Sequence, residues 1–472
     1  MARREDQHEY ATEAWQSPAR AVCTFDEASD RDRDESRLVR LTHELDWTEL
    51  EEVVEEIRAR KLKNVAGRPP HLRALIGAVV FRATRRITYR ETEDQIRHYA
   101  PARYLCGLTE TEWSPDANTI QDFEELLGED GMKRLNEYVV TEAVEEKLAD
   151  PKVLVADTTA QEAVIPYPNE MNLMATFLTA IAAASTRAGG ALKAFGAAMA
   201  TKFAAGKKRL REFRLFAKEK SKKARMKLTS EMTNLVEDVQ SHLARALQAA
   251  EPHKQRLVKY AKVAHAKAKQ LHDAMTKLLP QIRYWVKTSF VAANKVISVH
   301  IPELYSIVRG KAGKKVEFGL QWGISRLRGG FLLARVASDR RELVDARFAV
   351  KAVDDHIALF GAPPVGYAYD RAGYSEENVA LLKAKGVKHV GLAPRGRLKW
   401  PVRGAMKDKL VKERAQVEAG IGTIKHSKYG FTKPDARSRP AMAMCGQRAV
   451  LGYNLNKFVR GLAQRDEMVL VG

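Results

Sequence analysis

The segment Lys152-Val-Leu-Val-Ala-Asp-Thr-Thr159 decides the fold, because it joins a short apolar run to a carboxylate. An apolar run of this length, rich in β-branched residues, predicts a buried strand. A second segment, Val365-Gly-Tyr-Ala-Tyr-Asp370, repeats the same order of strand and acid. An acid at the end of a strand usually caps the following turn. Each segment alone is therefore weak evidence of function.

A third segment, Arg414-Ala-Gln-Val-Glu-Ala-Gly-Ile-Gly-Thr-Ile-Lys425, carries a further acid between two cations. On a helix, Glu418 and Lys425 lie about 40° and about 20° round from Arg414, so the three form one stripe about 16 Å long. Glu413 points about 140° away from Glu418 and is set aside. A solvated helix face also mixes charges in this way. The two acids at strand ends favour a functional interpretation.

Three carboxylates, Asp157, Asp370 and Glu418, are the predicted metal ligands. At close range they repel one another, so such a cluster persists mainly where divalent cations neutralise it. Oxygen ligands without His or Cys favour magnesium, or manganese in its place, over zinc.

These motifs resemble those of the DDE transposases of bacterial insertion sequences, which have a ribonuclease-H-like catalytic core. The family signature is Tyr-x2-Arg-x3-Glu-x6-Lys, and Arg414, Glu418 and Lys425 match it at those spacings. Val411 stands at the Tyr position, which removes no metal ligand. A further similarity is the segment Leu451-Gly-Tyr-Asn-Leu-Asn-Lys457. The resemblance covers roughly residues 65 to 168 and 312 to 460.

The resemblance implies an α/β fold with a mixed five-stranded sheet, interrupted by a long helical insertion and preceded by an all-helical domain. In such a sheet the first and fourth strands are neighbours, so Asp157 and Asp370 would emerge side by side. The expected organisation is a flexible arm (1–45), a helical domain that binds DNA ends (46–148), a catalytic core (150–168 and 312–428), a basic helical insertion (170–311) and a C-terminal helical segment packing on the core (429–472).

The activity that the resemblance implies is two-metal-ion phosphoryl transfer. Cleavage at the ends of the element would free a 3′ hydroxyl, which then attacks target DNA. Arg414 and Lys425 would hold phosphates beside the metal site. The implied partners are DNA and a second copy of the chain, and the implied location is the cytoplasm of a bacterium, in association with the nucleoid. A standalone or domesticated nuclease and a DNA-binding architectural protein remain alternatives.

The charge of the chain supports a polyanionic partner. The formal net charge is +21 and the isoelectric point is about 9.7, as nucleic-acid-binding proteins often show. Between residues 187 and 227, 14 Lys or Arg face two acids, which leaves +12. This insertion is interpreted as a DNA-binding surface or as a dimerisation arm. The predicted DNA-binding residues are Arg73, Arg82, Arg86, Lys207, Lys208, Arg209, Lys222 and Lys223. For Arg73, Arg82 and Arg86, a solvated helix face is at least an equal alternative.

Other classes of protein find little support. The 3 cysteines are far apart, which argues against a disulfide framework and a zinc site and favours a reducing compartment. The charged start of the chain does not resemble a signal peptide, and the longest apolar run is too short to span a membrane. A Gly-x-Ser-x-Gly motif does not occur, and Gly420-Ile-Gly422 lies inside a predicted helix and not at a strand-to-helix turn.

Overall fold

The computed structural model describes residues 30–62, 70–108, 113–215, 222–308, 316–339, 341–394, 396 and 398–471. The chain forms two compact units. The first comprises Met1–Gln161, Gln321–Ala436 and Pro440–Gly472, and the second comprises Glu162–Leu320 with Arg437–Arg439.

The first unit begins with helices, and polar side chains at their N-termini define where several of them start. They are α1 (Asp30–Glu44), α2 (Trp47–Lys61), α3 (Leu72–Thr84), α4 (Tyr89–His98), α5 (Ala100–Leu105) and α6 (Ala117–Glu145). The Asp46 and Asp116 side chains cap α2 and α6, and Thr88 forms a capping box with Glu91 at the start of α4. Gly128, with φ of 61°, kinks α6.

The described part of the segment predicted as a flexible arm (1–45) is helical. Residues 1–29 lie outside the described residues, but Asp30–Glu44 is helical. Leu38, Leu41 and Leu45 are buried in the core of the first unit. The sequence before residue 37 is dominated by charged residues, and the few apolar positions that follow do not form a periodic pattern long enough to predict a helix.

Across the described residues the sheet has six strands, one more than the five predicted. The strands are β1 (Asp150–Glu162), β2 (Tyr305–Val308), β3 (Val316–Arg328), β4 (Leu332–Val336), β5 (Gly366–Tyr369) and β6 (His389–Leu392). In the described part of the chain their order is β2-β3-β1-β5-β6, with β4 also paired to β3. β1 and β6 both run parallel to β5, whereas β2 and β4 run antiparallel to β3. The additional strand is β2, inside the predicted helical insertion.

Helices lie on both faces of the sheet in the first unit. They are α12 (Asp345–Phe360), α13 (Glu376–Ala384), α14 (Gly404–Lys425) and α15 (Arg439–Val471). On α12, the Phe348 ring lies 6.2 Å from the Tyr369 ring. On α14, Leu410 lies where a Cβ on Gly366 would be 3.2 Å away. Because side chains alternate along a strand, Tyr369 and Gly366 face opposite ways. Helices α12 and α14 therefore cover opposite faces.

Amide side chains bond the outer edge of β4. The Leu332 N–H donates to Asn454 Oδ1 at 3.0 Å, and Asn454 Nδ2 donates back to the Leu332 carbonyl at 2.7 Å. Asn136 Nδ2 also donates to that carbonyl, at 3.0 Å. Two residues further along the strand, Gln447 Nε2 donates to the Ala334 carbonyl at 3.2 Å. The segment from Leu451 to Lys457 thus lies in α15, where it holds β4 in place.

The second unit is built mainly of helices, as the prediction of a helical insertion required. They are α7 (Glu170–Arg187), α8 (Gly190–Ala198), α9 (Ala200–Leu215), α10 (Lys222–Ala250) and α11 (Lys259–Thr288). The unit has its own apolar core, in which Phe177, Val236 and Leu271 are fully buried. None of the helices in the described segments combines the length and the apolar character that a membrane crossing requires.

Candidate active site

Asp157 lies on β1, and Asp370 directly follows β5, the neighbouring parallel strand. The register between β1 and β5 pairs Val153 with Gly366 and Val155 with Ala368. Continued by two residues, this register places Asp157 opposite Asp370, at the spacing of about 4.8 Å that separates adjacent strands. By the alternation of side chains along a strand, both carboxylates belong to the same face of the sheet as Gly366, and α14 covers that face. The structure therefore brings two of the predicted acids together.

Local backbone groups orient both carboxylates. Asp157 Oδ1 accepts a hydrogen bond from the N–H of Thr158 at 2.7 Å. Asp370 begins a short 3₁₀ turn, and its Oδ1 accepts from the N–H of Ala372 at 2.9 Å. Each of these bonds stabilises a charged carboxylate and fixes its direction.

The charges of Asp157 and Asp370 act on the same buried side chain in β5. Tyr367 is fully buried in β5, and its pKa is raised well above the usual value by burial and by the charges of Asp157 and Asp370. The pKa of Tyr369 is raised in the same way by burial and by Asp345, with a smaller contribution from Asp157. The Tyr367 hydroxyl is thus influenced by the charges of both aspartates, as expected if Asp157 and Asp370 lie close together.

Asp345 holds the same two strands from the opposite face of the sheet, and sequence reasoning missed it. Its Oδ1 accepts from Thr158 Oγ1 at 2.7 Å and from the Tyr369 hydroxyl at 3.0 Å. These donors lie next to Asp157 and Asp370 in the sequence. The only signal was an acid at the start of a predicted helix, which is common at helix N-termini.

Glu418 does not join the two aspartates. Its side chain is 64% exposed, and its nearest ion-pair partner is Arg414, at 3.7 Å on the same helix. Within the described residues, no group of three or more His, Cys, Asp or Glu side chains is arranged to hold a metal ion. The predicted stripe is nevertheless present, because Arg414 and Glu418 face each other one turn apart. Lys425 is the last residue of α14.

Glu413 points away from the stripe, as the helical geometry predicted. It accepts from Arg326 on β3 at 2.7 Å, and both side chains are nearly buried. The two glycines of α14 differ in their surroundings. A Cβ on Gly420 would lie 3.3 Å from Leu332, whereas one on Gly422 would meet nothing within 4 Å. Packing on the sheet thus explains Gly420, and Gly422 faces open space.

Two of the predicted DNA-binding arginines are engaged inside the helical domain. Arg82 is buried in an ion pair with Glu124, and its guanidinium lies 3.7 Å from the Tyr89 ring centroid. Arg73 stacks 3.2 Å from the Trp47 ring centroid, and burial lowers its pKa to about 10. In this structure neither presents its charge on a DNA-facing surface, because each is used in packing. Arg86 is exposed and donates to the Ser427 carbonyl at 2.9 Å.

The predicted DNA-binding residues of the insertion lie on the surface of the second unit. Lys207, Lys208, Lys222 and Lys223 are exposed. Arg209 is half-buried, with Nε 3.9 Å from a carboxylate oxygen of Glu231. The positions are compatible with contact to a polyanion.

Comparison with known proteins concerns the helical domain. Residues 26–126 match the model of a family described as a transposase domain (DUF772). The match supports a transposase family. A transposase domain suggests DNA as the partner and transposition as the process. The matched segment ends before Asp157, so it does not bear on the chemistry of the sheet. No curated protein and no solved structure matches the chain.

Proposed function

We propose that the chain is a DDE transposase with a ribonuclease-H-like core, which cleaves DNA at the ends of an insertion sequence and joins the freed 3′ hydroxyl to target DNA. The observation that carries the proposal is the parallel register of β1 and β5, because its continuation by two residues would set Asp157 beside Asp370. When β2 of the insertion is left out, β1 and β5 are the first and fourth strands of the proposed core. They are neighbours in the sheet, which is the arrangement that the resemblance implies. The transposase-domain match gives independent support.

The two aspartates suit a hydrated divalent cation. Magnesium is commonly bound through one or two carboxylates and through substrate phosphates, with water completing its octahedron. Asp157 and Asp370 supply oxygen donors only, which favours Mg²⁺ or Mn²⁺. When bound, the metal ions would activate the attacking water or hydroxyl and stabilise the leaving oxygen.

The residues of α14 complete the proposed site when DNA is bound. Among the described residues, the Glu418 carboxylate forms an exposed ion pair with Arg414, four residues earlier on the helix. Such a pair is worth about 0.3–0.5 kcal/mol. Glu418 is therefore available to serve as the third ligand once metal ions and a DNA phosphate attract it. Arg414 would bind a phosphate through its planar fork and Lys425 as a point charge.

Contacts with DNA beyond this site are assigned to exposed cations. Arg86 and the lysines at 207, 208, 222 and 223 fit this role, in an assembly of two or more copies located with bacterial DNA in the cytoplasm. These contacts would release counterions from the DNA, so binding should weaken as salt increases.

A test separates chemistry from binding. In Asp157→Asn, Asp370→Asn and Glu418→Gln, we expect cleavage of a duplex carrying the DNA that flanks the coding sequence to fall by at least about 10³-fold in Mg²⁺, since a lost metal ligand removes transition-state stabilisation. Gel-shift affinity should change little. Asp408→Asn, an exposed acid on the same helix, is the matched control. Full cleavage by any of the three variants would exclude that residue from the site.

The exposure of Glu418 favours a second candidate, a DNA-binding protein without nuclease activity. Such a protein would bind the same duplex and cut it in neither Mg²⁺ nor Mn²⁺. A nuclease without transposase activity would cut but would not join the 3′ end to a second duplex. One strand-transfer assay with a labelled end therefore distinguishes the three candidates.

A further inference from the structure

A cavity of about 940 Å³ opens in the first unit where the β3–β4 hairpin turns. Its walls come from the hairpin itself, from the residues before β1, from the end of α14 and from α15. We call it the hairpin pocket and define it by Tyr429, Tyr453, Lys457 and Arg460, with Gly329 at the turn. The chemistry proposed above makes no use of it.

Two of the cations that line this pocket, Lys457 and Arg460, are not neutralised by a described carboxylate. Lys457 is half-buried, and its pKa is lowered by burial and by the charges of Arg326 and Arg460. Arg326 is neutralised by Glu413. Over the described segments, no ion pair joins Lys457 or Arg460 to a carboxylate. Two cations held together in this way favour an anionic ligand between them.

The acids of the pocket do not cancel this charge. Its other charged residues are Lys147, Arg465, Glu145 and Glu146, and Arg465 already pairs with Glu146. With Lys457 and Arg460 included, the lining carries four cations and two acids. The pocket is therefore net positive.

Rigid groups surround the cations. The Tyr453 hydroxyl donates to the Gly330 carbonyl at 3.0 Å, and the Tyr429 and Tyr453 rings meet edge to face with centroids 6.0 Å apart. The Lys457 ammonium lies 5.8 Å from the Phe331 ring centroid. Its stem packs against Gly330, where an added Cβ would lie 2.7 Å from Cε. The ligand site is thus set by α15 and by the hairpin that α15 holds.

We propose that the hairpin pocket binds a phosphate group of the DNA backbone, so that it anchors DNA away from the bond that is cut. This inference rests on the proposed function and deepens it. Seven residues of β1 separate Asp150, at this end of the strand, from Asp157, which corresponds to roughly 23 Å. That distance spans about seven nucleotides at 3.4 Å each. The anchored phosphate would therefore flank the cleaved one.

The role of the Leu451–Lys457 segment follows from this assignment. Asn454 bonds Leu332 on β4, and Lys457, one helical turn later, lines the pocket. The Tyr453 hydroxyl bonds the turn of the β3–β4 hairpin at Gly330. The segment builds the pocket wall and supplies its cation.

The test uses the full chain and a labelled 30-base-pair duplex of mixed sequence, since phosphate contacts do not depend on sequence. In Lys457→Gln/Arg460→Gln, we expect the duplex Kd to rise at least about tenfold at 0.1 M salt, and the slope of log K against log salt to fall in magnitude by about 1 to 2. Lys457→Arg keeps the charge and should bind like the wild type. Lys383→Gln/Lys388→Gln removes two exposed cations elsewhere on the same unit, and its slope should change less than that of the pocket variant.

Competition distinguishes the sources of phosphate. Inorganic phosphate and dAMP at millimolar concentration should displace little duplex, whereas an unlabelled duplex should compete fully. Displacement by dAMP at micromolar concentration would overturn the assignment in favour of a free nucleotide. An equal salt slope in the pocket variant and the wild type would overturn it altogether, while salt-dependent binding by both would leave the proposed function standing. Absence of any DNA binding by the wild type would instead reject the proposed function.

Discussion

Glu124 is fully buried among the helices of the first unit, and its charge is compensated by three groups. Its Oε2 accepts from Arg448 at 2.9 Å and from the Tyr89 hydroxyl at 2.8 Å, and it pairs with Arg82. The two arginines lower the pKa of Glu124 against the opposing effect of burial, which is the larger single influence. Arg82 therefore serves to neutralise a buried acid.

This arrangement predicts a stability defect for Arg82→Ala. Removing one partner of a buried ion pair typically costs about 3–5 kcal/mol, and the remaining Arg448 should reduce the loss to about 2–4 kcal/mol. Urea denaturation followed by circular dichroism measures it. Arg86→Ala is the control, because Arg86 is exposed, and it should leave the free energy of unfolding within about 0.5 kcal/mol. Equal stability of the two variants would contradict the role assigned to Arg82.

Glu142 gives a prediction about pH. Burial, followed by the charges of Glu145, Glu49, Asp46 and Glu146, raises its pKa to about 7. A carboxyl whose pKa is raised on folding opposes folding when ionised, so its penalty grows as the pH rises from about 4.5 to about 7 and is absent at lower pH. Because the group is only partly buried, solvent screening limits the penalty to about 1–2 kcal/mol.

We therefore expect Glu142→Gln to raise the Tm by about 2–4 °C at pH 8 and to leave it unchanged at pH 4.5. Scanning calorimetry at both pH values measures the difference. Glu137→Gln is the matched control on the same helix, since Glu137 pairs with Lys133 at 3.1 Å. It should bring no such gain at pH 8. A Tm rise of the same size for Glu142→Gln at both pH values would contradict the titration.

At the scale of single elements, α15 stabilises β4 through Asn454. In Asn454→Ala the N–H of Leu332 loses its acceptor, which should cost about 1–3 kcal/mol because the group is buried. Hydrogen exchange provides the direct measurement, since the Leu332 amide should exchange faster in the variant. Gln464→Ala, an exposed position on the same helix, is the control. Unchanged protection of Leu332 would show that the strand is held by other contacts.

Helix α14 shows how far sequence alone could lead. Helical periodicity correctly predicted that Arg414 and Glu418 share a stripe and that Glu413 points elsewhere. It could not predict how the helix lies on the sheet, because that depends on Leu410 packing where Gly366 and Gly391 leave room. The exposure of Glu418 follows from this packing. A pattern local to one helix does not contain that information.

The same limit explains the other differences. Apolar runs that end in an acid predicted β1 and β5, whereas the short strand β2 follows a long helical segment and carries no such signal. The partner of Arg82 lies 42 positions away. Local composition therefore could not distinguish a buried arginine from a solvated one. The pairing of Asp157 with Asp370 was foreseeable only through the resemblance.

At the scale of the whole molecule, the second unit has its own hydrophobic core, which is the usual mark of a segment that folds alone. We predict that residues 162–303, expressed separately, are helical and unfold cooperatively. Circular dichroism during heating measures this. Val236→Asp, which places a charge in that core, should abolish the transition, whereas Lys207→Gln should preserve it. A gradual, non-cooperative melt of the unmutated segment would contradict the prediction.

The bonded edge of β4 also restricts how copies of the protein can associate. A strand can extend a neighbouring sheet only if it offers unused backbone donors and acceptors. At Leu332 and Ala334 these groups are occupied by side-chain amides of the same chain. This edge is thereby protected from pairing with a strand of a second molecule, so two copies that associated by strand pairing would have to use a different edge.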